Sequence, residues 1–280
     1  MKVTIWGPRG SIASPGDATI RYGGNTACVS VETKEGNFLV MDAGTGIRSL
    51  GQAIPETINC VHLLLTHLHM DHIQGLPFFA PLRRRGVEVH IYGPTSSVLS
   101  LNKRLSRYLS PPLFPVSIRE LSADLYFHEV PSGMIEIDGF KVTAQRVIHP
   151  NPTVGYRVQA DGVTMTYIPD HEPALSSRIF PRDGDWISGY DLAKGANLLI
   201  HDAQYTGEQY QTRIGIGHSS IEQAIQFAEH TGIKHLVTFH HDPSHDDAML
   251  DQIMKRILSQ MQPEIKVTPG MEGAEFVVEG

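Results

Sequence analysis

The chain has 280 residues, of which 41% are hydrophobic and 19% charged, a balance that excludes a disordered or fibrous protein and allows a substantial core. No apolar run approaches the roughly 20 residues a membrane-spanning helix needs, and the opening MKVTIWGPRGSI lacks the apolar stretch of a signal peptide, so no membrane association and a cytoplasmic location are expected. Thirty acidic residues against 23 basic ones give a net charge of −7, and the one dense basic run is Arg83-Arg84-Arg85, which argues against a grip on long nucleic acid and leaves a small anionic substrate open.

Two cysteines, Cys28 and Cys60, lie in apolar runs and read as small buried hydrophobes; their number excludes a disulfide framework. The anomaly is 15 histidines, unevenly placed. Histidine is the commonest metal ligand, so the excess directs attention to metal chemistry.

In chain order, strands are predicted at 2–6, 26–33 and 37–41, separated by glycine turns. A helix at 47–54 is followed by a buried strand at 61–66, a short apolar run with polar residues beyond it. Residues 73–85 can form a helix interrupted by prolines, 87–92 form a strand, and 95–108 read as a helix that Ser110-Pro111-Pro112-Leu113-Phe114-Pro115 must break. Four strand-like segments follow between 125 and 168, and then strand and helix alternate at 197–200, 221–230, 235–239 and 246–260. No Gly/Ser/Pro-rich linker or repeat divides the chain, so one α/β domain spanning 1–280 is expected, with 110–115 a surface loop or lid.

The strongest feature follows the apolar strand: Thr66-His67-Leu68-His69-Met70-Asp71-His72. Three histidines and a carboxylate within six residues cannot all enter a core without costly desolvation. At a strand-to-loop junction they can converge on a metal, with His67 and His69 on one side by strand alternation and Asp71 and His72 on the turn beyond.

That pattern resembles the signature of the metallo-β-lactamase superfamily, whose fold is a four-layer αββα sandwich with a dinuclear metal site at one edge. Later segments resemble its remaining motifs in order: Arg146-Val147-Ile148-His149, Thr166-Tyr167-Ile168-Pro169-Asp170 and Val237-Thr238-Phe239-His240. The resemblance implies that one metal takes His67, His69 and His149 and the other takes Asp71, His72 and His240, with Asp170 shared. His241 is the rival of His240, which is preferred because the analogous motif places its histidine directly after the strand. Imidazole and carboxylate ligands suit two divalent ions, Zn2+ first, with Mn2+ or Fe2+ also compatible.

Two further segments narrow the resemblance to the ribonuclease Z-like and cyclic-nucleotide phosphodiesterase branch. Leu198-Leu199-Ile200-His201-Asp202-Ala203 resembles that branch's His-Glu-Ala-Thr segment, with Asp for Glu, and Gly217-His218-Ser219-Ser220 resembles its Gly-His-Ser-Thr segment. The likeness implies that His218 protonates a leaving oxygen and Asp202 orients it; Ser219 and Ser220 also suit a plain helix cap. Gly7-Pro8-Arg9-Gly10-Ser11 and Tyr22-Gly23-Gly24-Asn25-Thr26 resemble the same branch, with Arg9 and Asn25 as candidate substrate contacts and tight turns the competing reading. His171, His201, His241 and His245 read as outer partners or solvated residues.

The expected function is hydrolysis of a small phosphodiester, a cyclic nucleotide by preference, through a hydroxide bridging two metals, with Asp71, His218 and Asp202 as catalytic residues and a homodimer as the assembly. The alternatives are a lactone, thioester or β-lactam hydrolase on the same metals, and a tRNA 3′-processing endonuclease. The latter commonly carries a long arm between the third histidine and the bridging aspartate, where this chain has only 21 positions from His149 to Asp170.

Overall fold

Strands that are apolar on both faces must be covered on both, and this chain covers them by stacking two sheets and lining the outside of each with helices. The structure is a computed structural model and describes residues 1–174, 180–181 and 183–280. The strands are β1 (Lys2–Gly7), β2 (Cys28–Glu32), β3 (Phe38–Met41), β4 (Cys60–Leu64), β5 (Glu88–Pro94), β6 (Asp124–Val130) and β7 (Gly133–Ile137). They continue as β8 (Phe140–Arg146), β9 (Val154–Ala160), β10 (Val163–Ile168), β11 (Leu198–Asp202), β12 (His235–Phe239), β13 (Lys266–Pro269) and β14 (Glu275–Val277). One sheet runs β14-β1-β2-β3-β4-β5-β6 and the other β13-β12-β11-β10-β9-β8-β7.

Alternation divides the side chains between layers. On β2, Val29 and Val31 enter the core between the sheets, where they meet Phe140, Val142, Tyr156, Val158, Met165 and Tyr167 of the second sheet. On β4, Val61 and Leu63 face outward against helices α1 (Ile47–Ala53) and α3 (Leu101–Tyr108), with Ile47, Leu50, Leu101 and Leu105. The second sheet is covered by α4 (Tyr190–Ala193), α6 (Ile221–His230) and α7 (Asp247–Met261) through Leu192, Ile225, Phe227, Met254 and Ile257. The order is helices, sheet, sheet, helices: the four-layer αββα sandwich. Two one-turn helices, α2 (Met70–Ile73) and α5 (Gly207–Tyr210), lie in the loops at one end. Among the described residues no helix is long and apolar enough to cross a membrane.

Four local expectations are corrected. Residues 73–85 form 3-10 turns at Leu76–Phe78 and Ala80–Arg83, because Pro77 and Pro81 lack the N–H a continuous helix needs. The helix expected at 95–108 is confined to Leu101–Tyr108, with Ser100 extended before it. Five strands, not four, lie between 124 and 168, since Gly133 and Gly139 take positive φ and turn the chain once more. Cys28 is fully buried, but Cys60 is only half-buried at the start of β4, so the apolar run around it does not place it in the core.

Topology positions the site. β3, β4 and β5 are parallel to one another, as are β10, β11 and β12, and the carboxyl ends of both sets open at the same edge of the sandwich. Loops leaving those ends carry the polar residues, as is general where parallel strands end at a crevice.

Candidate metal centre and active site

Each sequence motif leaves the end of a strand. His67, His69, Asp71 and His72 follow β4, His149 follows β8, Asp170 follows β10, Asp202 ends β11 and His240 follows β12. Besides a smaller set of Asp202, His218 and His240, the chain brings these together in two groups whose candidate ligand atoms lie within 4.8 Å of one another: His67, His69, His149 and Asp170, and Asp71, His72, Asp170 and His240. Asp170 belongs to both. Its Oδ2 is 3.6 Å from His67 Nε2, 3.5 Å from His149 Nε2 and 3.4 Å from His240 Nε2, and its Oδ1 is 2.9 Å from His72 Nε2.

The imidazole tautomers are set from outside. His72 donates from Nδ1 to Asp42 Oδ2 (2.8 Å), and His149 donates from Nδ1 to the Gly217 carbonyl (2.7 Å). Thr66 donates its hydroxyl to Asp42, which leaves Thr66 Oγ1 to accept from His67 Nδ1 at 3.1 Å. With the Nδ1 proton turned outward, each ring turns its Nε2 lone pair towards buried carboxylates, an arrangement that ligated histidines share. His67 Nε2, His72 Nε2 and Asp170 Oδ1 are buried and have no hydrogen-bond partner among the described residues.

Imidazole nitrogens and carboxylate oxygens converging in a buried space call for positive charge between them, from a proton or a metal ion. The balance at His72 says the same: burial works against charge there, yet Asp170, Asp71 and Asp42 outweigh it and hold the pKa well above the ordinary value. At His67 burial dominates, followed by the neighbouring His72, and its pKa falls well below the ordinary value. Divalent ions fit this donor set of imidazoles and carboxylates.

His240 and its rival separate cleanly. His240 lies just beyond β12 at φ 59°, a backbone region a non-glycine residue adopts at a cost, and that turn aims its Nε2 to 3.0 Å from Asp71 Oδ2. His241 points the other way and donates from Nε2 to the Gly270 carbonyl. Gly10 makes room: a Cβ there would come within 2.2 Å of His240 Nδ1. The backbone N–H of Ser11 donates to Asp71 Oδ2 (2.8 Å). The amino-terminal glycine segment therefore forms the floor under two candidate ligands.

Arg9 and Asn25 do not meet the site as expected. The Arg9 side chain is fully buried; its Nε donates to the Gly23 carbonyl and its Nη1 to the carbonyls of Asp242 and His245. A fully buried guanidinium held through Nε and Nη1 by internal carbonyls, with Nη2 3.8 Å from Asp247 Oδ1, ties loops together and is closed to a phosphate. Asn25 donates from Nδ2 to Glu272 (2.6 Å), and the adjacent carboxylate disfavours an anion there.

His218 packs its ring against His240, with centroids 4.8 Å apart and planes 18° apart, and donates from Nδ1 to Asp202 Oδ2 at 2.6 Å. Asp202 is fully buried and also accepts from the backbone N–H groups of His171, Gln204 and Ser219, which fixes its rotamer. The shorter Asp thus reaches its histidine, because the backbone carries it to the end of β11. The cap reading falls to Ser220 instead, whose side chain accepts from Gln223 N at the start of α6. His171, His201, His241 and His245 are buried, and none enters either ligand group.

Three features were not singled out by sequence reasoning. Asp42 accepts from His72, Tyr167, and both the N–H and the hydroxyl of Thr66. Glu172, fully buried, accepts from Tyr210 Oη (2.6 Å), Gly215 N (2.8 Å) and Gly217 N (2.9 Å), pinning the loop that delivers His218. Glu172→Gln puts an NH2 against those donors and should destabilise the protein by about 1–3 kcal/mol. A urea unfolding midpoint unchanged from the parent would show that the loop is held by other contacts.

The third is an arginine pair. A cleft of about 550 Å³ opens beside His69 and is lined by Arg104, Arg107, Arg146 and Asn151. Arg104 is engaged with the Pro94 carbonyl and Glu129, whereas Arg107 and Arg146 are exposed. They come from α3 and the end of β8, so only the fold brings them together.

A family model described as a beta-lactamase superfamily domain matches residues 37–241. The chain is similar to a protein named Ribonuclease Z from Haloarcula marismortui, 25% identical over 276 residues that cover 86% of each chain. Among solved structures it resembles a diphosphatase from the PhnP family, with TM-score 0.71, 19% identity and 99% and 98% of the two chains covered. It also resembles the short form of human tRNase Z, with TM-score 0.68, 22% identity and both chains covered in full. The matched family model spans every candidate ligand from His67 to His240, and the chain is a hydrolase of the metallo-β-lactamase superfamily.

Proposed function

We propose that this protein is a metal-dependent phosphodiesterase acting on a small phosphodiester, with cyclic nucleotides as the preferred substrates. The observation that carries the reading is the His218–Asp202 pair, 2.6 Å apart and stacked on candidate ligand His240. Such a pair is placed to protonate a poor leaving group, as a ribose oxygen departing from phosphorus is. Two divalent ions held by His67, His69, His149, Asp71, His72, His240 and the shared Asp170 would supply an activated water and neutralise phosphoryl oxygens. Asp202 keeps the Nδ1 proton of His218 in place, stabilises the imidazolium, and leaves Nε2 to carry the proton that the leaving oxygen takes. Arg107 and Arg146 would meet further negative charge on the substrate beyond His69.

RNA cleavage is the second reading, favoured by the similarity to a protein named Ribonuclease Z. Against it, β9 and β10 are joined by the two-residue turn Asp161-Gly162, both at positive φ, where a tRNA-gripping arm is expected. The net charge of −7 also disfavours a long polyanion.

A hydrolysis panel on metal-analysed protein tests the choice, with cyclic nucleotides, a nitrophenyl phosphodiester, a precursor tRNA, a lactone and a β-lactam. The phosphodiesters should be turned over, and Arg107→Ala with Arg146→Ala should raise KM about tenfold for substrates bearing an additional phosphate while changing kcat little. Faster cleavage of the tRNA than of every small diester would replace this reading with the RNA one; turnover of the lactone or β-lactam alone would remove both.

A further inference from the structure

A second cluster of metal-binding side chains lies at the other end of the first sheet. Register places Cys60 beside Glu88 and His62 beside His90 on β4 and β5, with Tyr126 and His128 beside His90 and Tyr92 on β6. Residues paired across parallel strands share a face, here the face that meets the second sheet. Leu64 and Val130 close that face towards the core, so the cluster occupies its open end. The catalytic histidines leave the opposite end of β4, roughly 20 Å away along the strand.

The rings are held as ligand rings are held. His90 Nδ1 is 3.0 Å from His128 Nε2, and His62 Nδ1 is 3.3 Å from Tyr92 Oη, so the second nitrogen of each ring, Nε2, is turned the other way. Stacking fixes the planes: Tyr126 lies on His90 (4.7 Å, 14°) and Tyr92 on His128 (4.5 Å, 18°). His90 Nε2 faces Glu88 Oε2 at 3.4 Å, and His62 Nε2 faces Cys60 Sγ at 3.5 Å and Asp138 Oδ2 at 3.5 Å. Cys60, Glu88 and His90 offer ligand atoms within 4.8 Å of one another.

A plain aromatic ladder would explain the stacking, but not why a sulfur, an imidazole nitrogen and a carboxylate lie within 4.8 Å of one another, with His62 Nε2 3.5 Å from the sulfur.

We propose that Cys60, Glu88 and His90, with His62 as fourth donor, form a second, non-catalytic site for a thiophilic divalent ion, Zn2+ first. One thiolate, two imidazoles and one carboxylate make a tetrahedral set of the kind structural zinc uses. Binding converts the Cys60 thiol to a thiolate and releases that proton to solvent. Tyr92 and His128 act as outer partners that hold the two rings. The ion would staple β4 to β5 at a sheet end where Cys60 and His90 are only half-buried.

Cobalt titration of metal-free, full-length protein distinguishes this site from the catalytic one, because every candidate ligand there is histidine or aspartate and gives no thiolate band. The parent and Cys28→Ser should show a near-ultraviolet thiolate-to-cobalt band with the intensity of one cobalt–thiolate bond per chain, complete once the two catalytic ions are also loaded. Cys60→Ser should abolish it, His128→Ala should weaken the affinity about tenfold, and zinc should protect Cys60 from a thiol reagent. Circular dichroism and nitrophenyl phosphodiester turnover of Cys60→Ser should match the parent. A parent protein with no such band in excess cobalt, or a band that survives Cys60→Ser, overturns the proposal. Neither outcome bears on the phosphodiesterase reading.

Discussion

His218→Ala, compared with the parent at equal metal content, should lose about 10²–10⁴ in rate on a cyclic nucleotide and far less on a nitrophenyl phosphodiester. The difference lies in the leaving group. A ribose alkoxide departs with difficulty unless it is protonated, whereas nitrophenolate is stable enough to leave unaided. His218 stacks on His240, commits its Nδ1 to Asp202 and lies 4.0 Å from Asp170 Oδ2, outside the two groups that share Asp170, so truncation removes a proton donor without removing one of the seven proposed ligands. Asp202→Asn should show the same selectivity in weaker form: the ring stays oriented through a hydrogen bond, but the imidazolium loses its counter-charge. Equal losses on both substrates in metal-replete His218→Ala would make the residue a binding or structural group, and the proposed chemistry would lose its acid.

The sequence showed most of the centre because the motif from His67 to His72 is contiguous, and four polar residues after an apolar strand leave little room for another reading. His149, Asp170 and His240 are legible only by resemblance, since each is one polar residue at a strand end, a common position for ordinary turns. Asp42 and Glu172 were hidden for a different reason. A buried carboxylate that accepts from a distant histidine or from loop N–H groups has no local pattern, and its partners are 24 or more positions away. Arg9 misled because an arginine among glycines suggests anion binding, whereas the fold closes the Gly23 turn and the loop from 240 to 246 over it. Arg107 and Arg146 meet only because β8 ends beside α3. For the fold, periodicity found the long buried strands and helices; β13 and β14 escaped because they are short, half-exposed edge strands with little apolar signal.

Asp170 and His240 offer the sharpest separation within the centre. Of the two groups proposed to hold an ion each, Asp170 lies in both and His240 in one, so their removal should differ in stoichiometry as well as in degree. Asp170→Ala should weaken both ions beyond the 10–100-fold that loss of an outer partner costs and abolish turnover of every phosphodiester. His240→Ala should weaken one ion and spare the other, because His67, His69, His149 and Asp170 remain. His241→Ala should retain both ions: its Nε2 bonds the Gly270 carbonyl, and burial chiefly sets its pKa, lowered to about 3, so it stays neutral and turned away from the carboxylates. Elemental analysis after reconstitution with zinc or manganese, done in a Cys60→Ser background so that no thiolate site contributes, reads all three. Parent protein that holds about one ion in that background would refute a dinuclear centre. Equal metal loss in the His240 and His241 variants would refute the assignment of the ligand, and would mean that the left-handed turn at His240 serves the backbone and not the metal.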